Sequence, residues 1–358
     1  MNKFMRPELE KFAGYAACKS PEVLSEEILG LGVIKLDANE NVYGPSPSVT
    51  RALGHLTDVH IYPDSCQTEL RKALSTYTGV ASENIVAGSG SDQLIDLLVR
   101  MFVGPGDEVV TFAPTFAMYK FFTDLAGGKF IAVPRDDDYN VVLDRFPEVL
   151  SPRTKLIFIA MPNNPTGTPV PLETVHILLE TGLPVVVDEA YYEFTGQTLA
   201  GSVGKFPNLM VLRTFSKWAG LAGLRVGYGL FPDEVALKLN AIKDPYCVNT
   251  AAVTAARVSL DDLDYLMDKV RLIIKERERL FKALQEFEFL RPFPSSANFI
   301  LCRVSGKDAG EIQLLLEQRG ILVRHFNSPK MENSLRFSIG RPQDTDRLVG
   351  ELQNIGEA

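Results

Sequence analysis

Between residues 82 and 231 the chain alternates short β-rich runs with helical or turn segments. The runs at 109–112, 155–160, 184–188, 209–213 and 225–230 are mostly apolar throughout, without the in-and-out alternation of a strand that has one wet face. Strands of that kind must be covered on both sides, which predicts a largely parallel sheet with helices on each face, an α/β fold. Past Pro245 the pattern changes. Residues 263–284 read as one long amphipathic helix, and 298–303, 321–324 and 335–339 read as strands around a helix at 309–319, an α+β arrangement. A chain of 358 residues is larger than one core usually serves. The expected organisation is an N-terminal arm over 1–45 that also contributes to a small domain, a large domain over 46–245 and a small C-terminal domain over 246–358.

Several functional classes are excluded early. The formal net charge of −8, with no dense Lys/Arg stripe, argues against nucleic acid as a partner. A pocket of a few arginines can still hold a small phosphorylated molecule, because it acts locally. The longest apolar runs, such as 156–161, are far too short to cross a bilayer, and the first residues lack the apolar stretch of a secretory signal. No membrane association and a cytoplasmic location are the expectations. Cys18, Cys66, Cys247 and Cys302 are scattered, with no metal-ligand or redox spacing, so neither a disulfide nor a metal is expected.

Four segments in the middle of the chain carry chemistry. Ser89-Gly90-Ser91-Asp92 runs into an apolar-periodic segment ending near Phe102. It reads either as a plain helix cap or as a helix N-terminus whose N–H groups approach a phosphate. Pro162-Asn163-Asn164-Pro165-Thr166-Gly167 comes directly after an apolar run. It is a turn in any case, placed where ligands of open α/β sheets sit, so that an Asn amide there can meet a ligand oxygen. Asp188 ends a buried strand, where it either caps the next helix or has a cationic partner such as a protonated pyridine nitrogen. Finally, Lys217 lies among small and apolar residues, with hydroxyls at Thr214 and Ser216 and a guanidinium at Arg225. The three neighbours can hold a dianionic phosphate while the lysine stands beside an aldehyde carbon of the same molecule.

The ordered set of Asn164-Pro165-Thr166-Gly167, Asp188-Glu189-Ala190-Tyr191 and Ser216-Lys217 through Arg225 resembles the fold-type I, pyridoxal phosphate-dependent aminotransferases. Leu36-Asp37-Ala38-Asn39-Glu40-Asn41, Tyr43-Gly44-Pro45-Ser46-Pro47, Tyr62-Pro63-Asp64 and Leu335-Arg336-Phe337-Ser338-Ile339-Gly340 extend the likeness over nearly the whole chain, toward the histidinol-phosphate aminotransferases. Val42, where relatives usually have Pro, and Ala17-Cys18, where they usually have Pro-Gly, depart from that pattern.

The resemblance implies a seven-stranded, mostly parallel sheet in the large domain. It implies pyridoxal 5′-phosphate as cofactor, bound by Lys217 as a Schiff base, with Asp188 on the pyridinium nitrogen. Asn164 and Tyr191 would meet the ring 3′ oxygen and Phe116 would stack on the ring. Ser91, Asp92, Thr214, Ser216 and Arg225 would surround the phosphate. Tyr62 would reach the neighbouring subunit's site in a homodimer, and Tyr15, Asn39, Arg324 and Arg336 would face the substrate. The implied reaction is transamination between L-histidinol phosphate and 2-oxoglutarate. Competing expectations on the same scaffold are a broad aromatic or acidic amino-acid aminotransferase, a threonine-phosphate decarboxylase and a cofactor-binding regulator without turnover.

Overall fold

A computed structural model describes the chain except residues 1–3, 7, 8, 10, 11, 13, 15–17, 20 and 358. Its strands form two sheets. Strand β1 (Ile34–Leu36) belongs to the smaller one, while β2 (Ile85–Gly88), β3 (Glu108–Ala113), β4 (Lys129–Pro134), β5 (Thr154–Ala160), β6 (Val185–Asp188), β7 (Leu209–Thr214) and β8 (Gly227–Leu230) form the larger. Strands β9 (Leu290–Pro292), β10 (Phe299–Val304), β11 (Ile321–Phe326) and β12 (Ser334–Ser338) complete the smaller. The helices are α1 (Glu26–Gly30), α2 (Pro47–Gly54), α3 (Thr68–Thr78), α4 (Gly90–Phe102), α5 (Ala117–Leu125), α6 (Phe146–Val149), α7 (Leu172–Glu180), α8 (Asp233–Ile242), α9 (Thr250–Asp261), α10 (Leu263–Gln285), α11 (Ala309–Gln318) and α12 (Pro342–Glu357).

The large sheet has the order β2-β8-β7-β6-β5-β3-β4. Every pairing in it is parallel except those of β8, which runs antiparallel to both β2 and β7. The expected α/β architecture with a mostly parallel seven-stranded sheet is therefore observed. Alternate residues of its central strands enter different cores. Ile157, Val185, Val187 and Val211 pack on one face, and Phe158, Val186, Met210 and Leu212 pack on the other with α4 and α8. This double burial is why those runs are apolar at every position, at about 1.5–3 kcal/mol for each large side chain fully buried. Strands β2 and β4 escaped the sequence reading. The first is only four residues long, and the second is an edge strand with exposed residues at both ends.

In the five-stranded sheet the order is β1-β11-β12-β10-β9, with β1 parallel to β11 and the other pairs antiparallel. The long helix α10 buries Leu266, Val270, Ile273, Leu280 and Leu284, the stripe its amphipathic spacing predicts. Helix α9, between the large sheet and α10 in sequence, packs on α2 and α3. The segment leaving β1 at residue 37 runs between β12 and the loops at the carboxyl ends of β5, β6 and β7, which is where the site lies. Among the described residues no helix is long and apolar enough to cross a membrane.

Candidate active site

Outside the carboxyl ends of β5, β6 and β7 lies a cavity of about 660 Å³, bounded by the first turn of α4, the segment 38–40 and strands β11 and β12. Ser91, Asp92, Phe116, Asn164, Asp188, Tyr191, Thr214, Ser216, Lys217, Arg225, Asn39, Arg324 and Arg336 all line it. Residues separated by up to three hundred positions in sequence meet here because parallel strands deliver their carboxyl ends to one edge of a sheet.

Lys217 leaves the loop after β7, and its Nζ donates to the carbonyl of Ala38 at 3.0 Å. Burial, reinforced by the positive charge of Arg336, lowers its pKa to about 8. An amine so placed has a substantial neutral, nucleophilic fraction near neutral pH.

Asp188, at the end of β6, is 4% exposed. Burial pushes its carboxyl up to about 6, opposed by two donors. The Tyr119 hydroxyl donates to Oδ2 at 2.6 Å and the Ala190 N–H donates to Oδ1 at 3.1 Å. A buried carboxylate of this kind is stabilised further by any cation brought against it. Tyr119 is fully buried and stacks on Phe158 at 4.6 Å. It was not among the residues read from sequence, although it lies three positions after Phe116 and so on the same side of α5.

At the opposite end of the cavity hydroxyls and N–H groups gather. Thr214 Oγ1 and Ser216 Oγ are 2.9 Å apart, and α4 begins at Gly90 with no side-chain cap on its first N–H groups. Arg225 holds a left-handed backbone (φ 54°) and its Nη2 pairs with Asp92 Oδ2 at 2.6 Å. That pair is half-exposed and so worth about 1 kcal/mol or less, which an incoming dianion readily offsets. Gly90 has φ +75°, a left-handed backbone that favours glycine, and Arg225 Nη2 lies 2.6 Å from where a Cβ would stand.

Facing Lys217 across the cavity, Arg324 of β11 and Arg336 of β12 are direct cross-strand partners. Arg336 donates to Asn164 Oδ1 and to the carbonyl of Asp37, both at 2.7 Å. Like charges opposed across a strand pair repel, and an anion between them relieves that repulsion. Phe326 flanks both guanidinium groups, at 5.8 and 5.5 Å from its ring centre. Cys18, on the arm, accepts from Arg324 at 3.7 Å and donates to the Asp37 carbonyl. Lys35 bridges Asp37 and Glu40 at the rim. Neither Lys35 nor Cys18 was singled out from sequence as a site residue, since only the parallel pairing of β1 with β11 brings the arm here.

Two residues read from sequence stand apart. Tyr62 is 76% exposed, lies outside this cavity and stacks on Tyr246 at 4.4 Å. Tyr15 falls outside the described residues. Asn39 borders the cavity as expected, with its amide engaged by Ser338 and Tyr191.

The donor set fits pyridoxal phosphate. Phosphate-binding groups stand at one end and a buried carboxylate suited to a pyridinium at the other, with a lysine of lowered pKa between them.

Comparison with known proteins agrees with this geometry. Residues 32–352 match the family described as aminotransferase class I and II. The histidinol-phosphate aminotransferase of Dehalococcoides mccartyi (strain CBDB1) is 56% identical over 357 residues, covering 100% of this chain and 99% of its own. That of Roseiflexus castenholzii is 46% identical, covering 98% of each chain. Among solved structures, the histidinol-phosphate aminotransferase of Sinorhizobium meliloti, crystallised with pyridoxal-5′-phosphate, superposes with a TM-score of 0.88 at 29% identity, over 99% of this chain and 98% of that one. On this family match and these full-length relatives, the chain belongs to the class I and II aminotransferases.

Proposed function

We propose that this enzyme transfers the amino group of L-histidinol phosphate to 2-oxoglutarate, giving imidazole acetol phosphate and L-glutamate, with Lys217 as the residue that carries pyridoxal phosphate. The observation that carries the substrate is the cross-strand pair Arg324 and Arg336 on the cavity wall facing Lys217. Guanidinium forks bind phosphate and carboxylate alike, which suits a site that must accept a phosphorylated amine in one half-reaction and a dicarboxylate in the other. When bound, pyridoxal phosphate supplies an electrophilic aldehyde and a ring that takes up electrons.

The remaining roles belong to the chain. Lys217 Nζ, neutral in part because burial lowers its pKa to about 8, would hold the cofactor at its aldehyde and would accept and return a proton at the substrate Cα. Asp188 would hold the pyridine nitrogen protonated. Phe116 would pack on the ring, while Asn164 and Tyr191 would meet its 3′ oxygen. Thr214, Ser216, Arg225, Ser91 and Asp92 orient the phosphate, and Asn39 borders the substrate. Tyr62, exposed on its own subunit, serves the partner's phosphate site in a homodimer, and a cytoplasmic location belongs to the same reading. We place the large sheet in a large domain and the five-stranded sheet in a small one. The expected boundary is 245/246; we place it later, near Asp262, on the support of the packing of α9 on α2 and α3.

Steady-state rates with L-histidinol phosphate, phenylalanine, tyrosine and aspartate, each with 2-oxoglutarate, test the substrate. Higher kcat/KM for histidinol phosphate is expected, and equal or better use of the amino acids refutes it. Carbon dioxide released from O-phosphothreonine would mark a decarboxylase instead.

A further inference from the structure

Strands β3 and β5 pair side by side, but their ladder stops at Thr111 and Phe158, and each strand then runs on into a loop that reaches the cavity. The loop after β3 carries Phe116 and the loop after β5 carries Asn164, both of which line the cavity. Between the two loops, behind the cavity wall, Asn163 is 0% exposed. Its Nδ2 donates to the Pro114 carbonyl at 2.9 Å and to Thr166 Oγ1 at 2.8 Å, while its Oδ1 accepts from Thr115 Oγ1 at 2.8 Å. The backbone is held as well: the Asn163 N–H donates to the Thr168 carbonyl at 2.9 Å, and its carbonyl accepts from the Gly167 N–H at 2.7 Å.

The direction of the amide follows from its partners. A carbonyl oxygen only accepts, so the Pro114 carbonyl takes the NH₂ end and the oxygen end is left for the Thr115 hydroxyl. One buried side chain therefore grips two consecutive residues of the neighbouring loop and one of its own. Each gripped point is followed directly by a residue of the cavity wall, Phe116 after Thr115 and Asn164 after Asn163. Phe116 also opens α5, where no side chain caps the helix, and the next turn carries Tyr119, the donor to Asp188. The grip thus continues by side chain what the backbone ladder no longer does.

We infer that Asn163 is a positioning residue: it clamps the loop after β3 to the loop after β5 and so sets the slot between the Phe116 ring and the side chains of Asn164 and Asp188. The inference rests on the reading of the cavity as a pyridoxal phosphate site, whose ring that slot would receive. A slot held in place beforehand leaves less to be ordered when a ligand enters, so releasing the clamp weakens binding with no contact to the ligand removed.

The test compares cofactor-loaded enzymes by the dissociation constant of pyridoxal phosphate and by the induced circular dichroism of its visible band, with urea unfolding of each protein as the control for stability. Asn163→Ala is expected to weaken cofactor binding about tenfold, the scale of one hydrogen bond, and to diminish the dichroism per bound cofactor. Thr115→Val, which keeps the shape and removes the donor, should act in the same direction, and Thr115→Ser, which restores the hydroxyl, should return to the wild type. In a Phe116→Ala background Asn163→Ala should weaken binding by about threefold or less, because the ring it positions is gone. A lowered unfolding midpoint with affinity and dichroism unchanged would make Asn163 a purely structural residue and overturns the inference. An equal loss of affinity with and without the Phe116 ring also overturns it. Should Asn163→Ala not fold, Thr115→Val is judged by the same two criteria. A wild-type protein that develops no visible band with pyridoxal phosphate would instead refute the cofactor reading, and the inference with it.

Discussion

Tyr119→Phe removes one hydroxyl and leaves the ring stacked on Phe158. What is lost is the 2.6 Å donation to Asp188, between two buried groups. Burial already pushes Asp188 from an ordinary 3.8 up to about 6. A hydrogen bond to a charged group contributes about 1.5–3 kcal/mol against about 1 kcal/mol between neutral groups, a difference of about 0.5–2 kcal/mol or roughly 0.4–1.5 pH units at 1.36 kcal/mol each, so the variant carboxyl should titrate near about 6.5–7.5 in the apoprotein. Between pH 3.8 and about 6 the folded wild type keeps a proton that the unfolded chain has released, so this group's contribution to stability falls through that window and is level above it. In the variant the fall continues to about pH 6.5–7.5. Urea unfolding of both apoproteins should therefore show a deficit of about 1 kcal/mol at pH 5, where the bond is between neutral groups, growing to about 1.5–3 kcal/mol at pH 8.5. The loss of cofactor affinity should be several-fold near pH 6 and nearly vanish by pH 8.5, where Asp188 is ionised in both proteins and can hold a pyridinium. An equal deficit at both pH values would make Tyr119 a packing residue with no hold on the carboxylate.

The rate at which apoprotein combines with pyridoxal phosphate should rise with pH around a midpoint near 8, where Lys217 becomes neutral. Arg336→Ala, by removing a positive charge that lowers this pKa, should move the midpoint upward; stopped-flow absorbance reads it, and an unmoved midpoint contradicts the assigned cause. The same variant should lose on the order of a hundredfold in kcat/KM for histidinol phosphate, mostly through KM, and unchanged kinetics would remove Arg336 from the substrate site. Gly220→Ala should destabilise by about 2 kcal/mol or more in thermal unfolding, because Gly220 has φ +69° and a Cβ there would stand 2.4 Å from the Gly44 carbonyl carbon. Mixing Tyr62→Ala with Lys217→Ala, each inactive alone, should restore roughly one site in two within mixed dimers, and a mixture that stays inactive refutes the exchange of Tyr62.

The sequence exposed what depends on local order and hid what depends on long-range meeting. Asn164, Asp188 and Lys217 were legible because each comes after an apolar run, and parallel strands bring their carboxyl ends to one edge. Arg324 and Arg336 came from motif likeness, while their direct opposition on β11 and β12 is a matter of register that single-chain patterning does not fix. Tyr119 was missed because it acts through a partner far along the chain, Asp188, 69 positions away. The Ala38 carbonyl that receives Lys217 had no signal at all, since every residue carries such a group. Of the fold, the double-buried strands were readable and the short β2 and edge β4 were not, because a few residues or a half-wet face leave no continuous apolar run.

Among the contacts that join the smaller sheet and its leading segment to the loops of the larger one are Arg336 to Asn164, Asn39 to Tyr191, and Lys217 to the Ala38 carbonyl. Each has a residue lining the catalytic cavity at one end or both. An anion seated between Arg324 and Arg336 would draw on the same guanidinium that holds Asn164, and the Lys217 amine that would hold the cofactor is the one bonded to the Ala38 carbonyl. Substrate grip and cofactor alignment are thus exerted through shared hydrogen bonds, which act as a unit and whose deletion effects should not add. For this reason double-mutant cycles between Arg336 and Tyr191, read on cofactor absorbance and on KM separately, should give coupling energies of about 0.5–3 kcal/mol. Strict additivity in both readouts would mean that the two sheets meet at the cavity without communicating through it.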